Sequence, residues 1–218
     1  MTTFELGAGE TLLTTIRHGL TLLNRDQRVG GRIDVPLIDE GRLQAKEAAS
    51  ALDGVAFDAV ISSPLQRALE TASLVTGLPP SDIEVNEECS ERSFGQMEGA
   101  DPVQVPVRFP QVRYLQVGHV RYSLNPPDGE SFDSLHRRAT WFLEATLKSH
   151  HGESVLVFSH QNFLQQLHGA IKGLGPIESL AQDILNCELN RFRLGSDGAL
   201  LDSETVQLCS DAARYPSF

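Results

Sequence analysis

Three features of the 218-residue sequence predict an α/β fold, a three-layer α/β/α sandwich around a mostly parallel central sheet. Short apolar runs rich in β-branched residues recur along the chain. Segments with helical spacing separate them. The residues best suited to chemistry sit directly after the runs, at the ends of the expected strands.

Taken in order, Thr11 to Ile16 is a buried strand that ends at Arg17-His18-Gly19. Gly41 to Leu52 has helical spacing, with Leu43, Ala45, Ala48, Ala49 and Leu52 forming one stripe. Phe57 to Ile61 is a second strand. Ser62-Ser63-Pro64 then opens a helix over Leu65 to Thr76, with a serine as cap and Pro64 in the first turn. Gly77 and Pro79-Pro80 stop it. Ile83 to Val85 is a weaker strand. A long helix runs from Ser131 to His150, and its spacing assigns Leu135, Trp141, Phe142 and Leu147 to the core. Ser154 to Phe158 is the clearest strand and delivers Ser159-His160. A helix follows over about Asn162 to Lys172. Leu189 to Leu194 and the run from Ala199 are strands around the turn Gly195 to Gly198. Cys187, at a strand start, is a small buried residue. Gly99 to Pro127 is the least regular stretch, with five prolines at 102, 106, 110, 126 and 127. Such a length of irregular chain usually covers a site. The expected organisation is one domain over 1–218 with a lid-like segment at about 100–127.

Composition narrows the function. The chain is 40% hydrophobic and 22% charged, the balance of a globular protein large enough to bury a core. A formal net charge of -11 argues against a nucleic-acid partner and against an anionic membrane surface. It leaves an anionic small substrate open, because a pocket can be locally positive. No apolar run is long enough to cross a membrane, and the start, with Glu5 and Glu10, is not a secretory signal. Cys89, Cys187 and Cys209 are far apart and form no CxxC, so neither a disulfide framework nor a zinc site is expected. Together these features suggest a cytoplasmic protein. They leave a homo-oligomer open.

Three strand ends would bring Arg17, His18, Ser62, Ser63, Arg67 and His160 to one edge of a parallel sheet, where α/β proteins bind ligands. Arginine stays charged and grips phosphate oxygens with a planar fork. Unprotonated imidazole is a nucleophile near neutral pH. The set suits phosphoryl transfer, in which positioning and charge stabilisation dominate. No HExxH, DxDxDG or GxxxxGKS pattern is present, and His119, His136, His150, His151 and His168 lack ligand spacing, so no metal and no cofactor are expected.

These blocks resemble the histidine phosphatase superfamily, the phosphoglycerate-mutase-like group. The likeness runs through I-R-H-G-L-T-L-L-N (Ile16 to Asn24), G-G-R-I-D-V-P-L-I-D-E-G-R-L-Q-A (Gly30 to Ala45) and S-S-P-L-Q-R-A-L-E-T-A (Ser62 to Ala72). It continues in E-R-S-F-G-Q-M-E-G (Glu91 to Gly99), P-P-D-G-E-S (Pro126 to Ser131) and F-S-H (Phe158 to His160). The resemblance implies a phosphoglycerate-mutase-like fold and a covalent mechanism. His18 would become phosphohistidine. Arg17, Arg67 and His160 would hold the phosphoryl oxygens, and Asn24 with Gly30 and Gly31 would complete the cradle. Glu91 would act as the acid, preferred over Glu88 and Glu98 because its block matches. The family usually has glycine after the second histidine. This chain has Gln161, which would narrow the pocket or bind the ligand.

The expected activity is metal-independent hydrolysis of a small phosphorylated metabolite. Two other readings are a phosphoglycerate mutase-type phosphotransferase and a non-catalytic sensor of phosphorylated ligands. Arg108-Phe109-Pro110 looks more like the family's broad phosphatases than its mutases. Arg108, Arg113 and Arg121, each one residue from Phe109, Tyr114 or Tyr122, would let the lid attract anionic substrates.

Overall fold

The computed structural model describes residues 6–210. Glu5 and the last eight positions of the expected 1–218 domain lie outside the described residues. The strands are β1 (Thr11–Arg17), β2 (Ala59–Ser62), β3 (Glu84–Val85), β4 (Tyr114–Val117), β5 (Val120–Ser123), β6 (Ser154–Ser159), β7 (Glu188–Leu194) and β8 (Leu200–Gln207). The helices are α1 (Leu22–Arg25), α2 (Asp39–Ala51), α3 (Gln66–Thr76), α4 (Val105–Arg108), α5 (Phe132–Ser149) and α6 (Gln161–Ile171).

Six strands form the central sheet in the order β3-β2-β6-β1-β7-β8. The β3-β2, β2-β6 and β6-β1 ladders are parallel, whereas β1-β7 and β7-β8 are antiparallel. Every residue of β1 is buried, which explains its unbroken run Thr11–Arg17. Side chains alternate across the sheet. Val155 and Val157 of β6 pack with Leu135, Phe142, Phe163 and Leu167 of α5 and α6. Leu156 and Phe158 pack on the other face with Ala45, Ala48, Ala72 and Val75 of α2 and α3. The result is the expected three-layer sandwich. Truncating a buried aromatic such as Phe142 to alanine would cost about 3–5 kcal/mol.

Register places the site. Arg17 pairs with Ser159 on β6, and Ser62 at the end of β2 pairs with Phe158. The three carboxyl ends are therefore adjacent, and the residues just past them, His18, Ser63 and His160, emerge together.

Four expectations need correction. Trp141 is 55% exposed, because it sits beside Phe142 and off the stripe formed by Leu135, Ala139, Phe142 and Thr146. Leu43 is likewise exposed, and Gln44 turns inward in its place to accept a hydrogen bond from Leu20 N at 2.9 Å. Helix α3 starts at Gln66, so Pro64 lies before it; Ser63 Oγ accepts from Leu65 N at 3.2 Å, while Gln66 N donates to Asp34 Oδ1 at 2.7 Å. The stretch 99–127 is not irregular throughout: it holds α4 and the β4-β5 hairpin. Tyr122 of that hairpin is buried and donates from its hydroxyl to Leu180 O at 3.2 Å.

Candidate active site

His18 follows β1 with its own backbone fixed on several sides. Its N–H donates to Ser159 O at 3.0 Å, and its carbonyl accepts from Asn186 Nδ2 at 2.7 Å. The ring contacts Gly19 O through Nδ1 at 2.7 Å. A carbonyl only accepts, so Nδ1 carries the proton and Nε2 keeps its lone pair. Arg67 Nε lies 3.3 Å from that Nε2 and 3.2 Å from Nδ1 of His160. With Nδ1 of His160 accepting, its Nε2 donates to Ser63 Oγ at 2.8 Å. The two rings are 5.1 Å apart, centroid to centroid.

Burial, ahead of the charges of Arg67 and Arg17, holds His18 well below the usual imidazole pKa. The same causes, with His18 and Arg138 added, lower His160. Both imidazoles are thus neutral at pH 7 beside two guanidiniums. Arg17 donates from Nη1 to Ile184 O at 2.6 Å, and its Nε has no partner among the described residues. Burial pushes Arg17 down to about 10, which leaves it charged. Arg67 donates from Nη1 to Ile33 O and from Nη2 to Gly31 O, both at 2.8 Å. This pair of bonds ties the 30–33 loop to the start of α3.

One cavity, about 440 Å³ including the space open to solvent, brings together His18, Arg67, Asn24, Gly30, Gly31 and Glu91. Asn24 also closes the first turn of α1, with Oδ1 accepting from Thr21 N at 3.2 Å. Gly31 has φ 53°, and a Cβ there would strike the Glu98 carboxylate, so a side chain at this position would be strained and would displace Glu98. Arg17 and His160 are buried alongside and do not line the cavity. Gln161, expected to touch ligand, is also buried and outside the lining. It is the first residue of α6, and the helical turn brings Asn162 to the cavity instead. Both side-chain polar atoms of Asn162 are buried without a partner among the described residues. The lining includes no residue of 100–127, so the lid expectation is not met in this conformation.

Glu91 is 6% exposed, and its carboxylate is tethered by main chain. Oε1 accepts from Arg92 N at 2.7 Å and Phe163 N at 3.3 Å, and Oε2 from Asn162 N at 3.4 Å. Arg138 holds the segment before it, donating from Nη1 to Glu88 O at 2.6 Å and to Ser90 O at 2.8 Å. Arg138 in turn pairs with Glu130 of the P-P-D-G-E-S block at 2.7 Å. Glu98 is occupied elsewhere: Oε1 accepts from Arg32 N at 3.1 Å and Phe94 N at 3.0 Å. Glu88 does not line the cavity.

Sequence reasoning missed Asn162, Arg28 and Thr21 in the lining, and the supports Asn186 and Arg138. Two of these had a local signal: Asn162, two residues after His160, and Thr21, inside the Ile16 to Asn24 block. Among the described residues no group of His, Cys, Asp or Glu is arranged to hold a metal ion, and no helix is long and apolar enough to cross a membrane.

The chain is similar to known proteins along most of its length. The chain is 30% identical to phosphoglycerate mutase-like protein 4 of Arabidopsis thaliana, over 93% of this chain and 86% of that one. It is 30% identical to the 2,3-bisphosphoglycerate-dependent phosphoglycerate mutase of Rhizobium etli, over 89% and 96%. Among solved structures, the alpha-ribazole phosphatase from Shigella flexneri superposes with a TM-score of 0.76 at 26% identity, covering 90% of this chain and 96% of that one. Residues 13–206, from β1 into β8, match the profile of branch 1 of the histidine phosphatase superfamily, and the chain belongs to that family.

Proposed function

We propose that this chain hydrolyses small phosphomonoesters through a phosphohistidine formed on His18. The observation that carries the reading is the unprotonated Nε2 of His18, presented to the cavity within reach of Arg67 Nε at 3.3 Å. In the first step Nε2 forms a bond to phosphorus as the ester P–O bond breaks. The leaving oxygen takes a proton from the Glu91 carboxyl group. In the second step water attacks phosphorus, Glu91 takes its proton, and the P–N bond breaks to release phosphate. Arg17 and Arg67 balance the charge of the transferring group, and neutral His160 positions Arg67 through the contact at 3.2 Å. Asn24, Gly30, Gly31 and the unpartnered amide of Asn162 fit as further contacts. Gln161, buried and outside the lining, is not assigned a contact with the ligand in this reading.

The two guanidiniums supply the positive charge that the phosphoryl oxygens need, so activity should survive EDTA. With p-nitrophenyl phosphate, the wild type should release phosphate and acquire an acid-labile, base-stable label. His18→Ala should do neither, and persistence of the label in that variant would overturn the assignment. A mutase reading follows from the names of two relatives. Phosphoglycerate isomerised faster than it is hydrolysed would favour it. Binding of phosphorylated ligands without turnover would favour a sensor.

A further inference from the structure

We propose that Arg28 makes this site selective for phosphomonoesters that carry a carboxylate on their non-phosphate part. The proposal rests on the phosphatase reading above and names the substrate class.

Arg28 lines the same cavity as His18, Arg67 and Asn162, but it is exposed where Arg17 and Arg67 are buried. Its backbone is fixed. Arg28 N donates to Leu23 O at 2.8 Å, and its neighbour Val29 is clamped by bonds to Gly99 N and Ala100 O at 2.7 and 3.1 Å. Its side chain is free: among the described residues no carboxylate or carbonyl engages the guanidinium. Nearby cations are used differently. Arg25 pairs with Asp26 at 3.2 Å, Arg32 with Glu130 at 3.8 Å, and Arg42 with Glu70 at 2.6 Å. In a chain with 29 acidic and 18 basic residues, an unpaired arginine fixed at a cavity lacks a protein counter-charge where one would be easy to supply.

Charge and shape point to the missing partner. The phosphoryl group takes the buried positive charge, so the rest of the substrate must leave past the exposed part of the lining. That part offers Leu23 and Val35 for carbon and Arg28 as its cation. The lining carboxylate, Glu91, is tethered to the start of α6. A carboxylate matches the planar fork of a guanidinium in a two-bond pair, which a hydroxyl or an ammonium group does not.

O-phosphoserine and O-phosphoethanolamine differ by that carboxylate alone and serve as the probes. The wild type should show kcat/KM at least about tenfold higher for O-phosphoserine, mostly through KM. Arg28→Gln should bring the ratio near one, and Arg28→Lys should restore part of it. Calorimetric binding of both probes to His18→Ala reads the same comparison without turnover. A wild-type ratio near one, or an unchanged ratio in Arg28→Gln, overturns the proposal. A wild type inert toward p-nitrophenyl phosphate and unlabelled would instead sink the phosphatase reading, while the binding ratio would still test Arg28.

Discussion

The arginines of the cavity and those of the 101–125 segment carry the same charge under opposite conditions. Arg17 and Arg67 are stripped of water, and their forks are committed to Ile184 O, Ile33 O and Gly31 O. Burial lowers the pKa of both. Arg108, Arg113 and Arg121 stay in water. Two of them stack on rings of their own segment, Arg108 at 5.5 Å from the Phe109 centroid and Arg121 at 4.4 Å from Tyr114. The apolar residues around them, Val105, Phe109 and Val112, pack inward on Val29, Phe94 and Met97. Three arginines beside aromatic residues suggest a lid, but count and spacing cannot tell a charge aimed at a ligand from one aimed at solvent. Desolvation can. A buried cation costs several kcal/mol unless something offsets it, so chains keep one chiefly where an anion arrives or a partner stands.

The largest effect should come from breaking the buried set. Arg67→Lys keeps the charge but cannot hold Gly31 O and Ile33 O while facing His18. It should lose roughly 10²–10³-fold in kcat/KM on p-nitrophenyl phosphate, the loss typical of a removed charge-stabilising donor. Steady-state rates decide it, and a loss under tenfold would mean that charge alone suffices. Glu91→Gln sharpens the contrast from the acid side. It should slow an alkyl phosphate by about 10²–10⁴-fold, the usual worth of a positioned general acid, and p-nitrophenyl phosphate much less. Equal losses on both esters would move the proton donor elsewhere.

How much of this was legible in the sequence depended on distance along the chain. Arg17-His18, Arg67 and His160 each follow a strand by a few residues, so strand and motif could be read together. The elements on either side of the site were readable for the same reason, since a stripe or an apolar run is local. Asn186 reaches His18 O across 168 positions, and Arg138 reaches Ser90 O across 48, with nothing local to announce either contact. Gln161 stands out in the sequence because the family pattern differs there, while the start of α6 brings Asn162 to the cavity. The hairpin left a fainter trace. Leu115, Val117, Val120 and Tyr122 alternate around Gly118-His119, a two-residue turn hidden among prolines.

Buried imidazoles allow a test on stability. His168 is wholly buried with Nε2 at 2.8 Å from Thr15 Oγ1, and burial pushes its pKa down to about 3. His18 and His160 are lowered too. Between these lowered values and 6.5, the unfolded chain binds protons that the folded chain refuses. Stability therefore falls as pH drops below 6.5, and for His168, with its pKa near 3, by about 2 kcal/mol on reaching pH 5. His168→Gln should keep a partner for Thr15 and lose about that much less between pH 7 and pH 5 in urea titrations. The same loss as wild type would mean that the native state accepts the proton without penalty.

The smallest expected effect is the sharpest check on the opening contrast. Arg108→Ala, Arg113→Ala and Arg121→Ala remove charges that lie outside the cavity lining. Each leaves the inward apolar contacts of α4 and the hairpin in place. A lid would make these variants raise KM for anionic substrates. A solvated outer face predicts kcat and KM within about twofold of wild type, and stability within roughly 0.5 kcal/mol, as for surface changes in general. Their one measurable trace should be in salt dependence. Exposed charges steer anions over distances that a Debye length of about 8 Å at physiological ionic strength cuts short. Any difference in kcat/KM should thus shrink between low and physiological salt. A KM that stays several-fold high at 0.15 M ionic strength for even one of the three would place that arginine in contact with bound substrate and remove the distinction between the two sets.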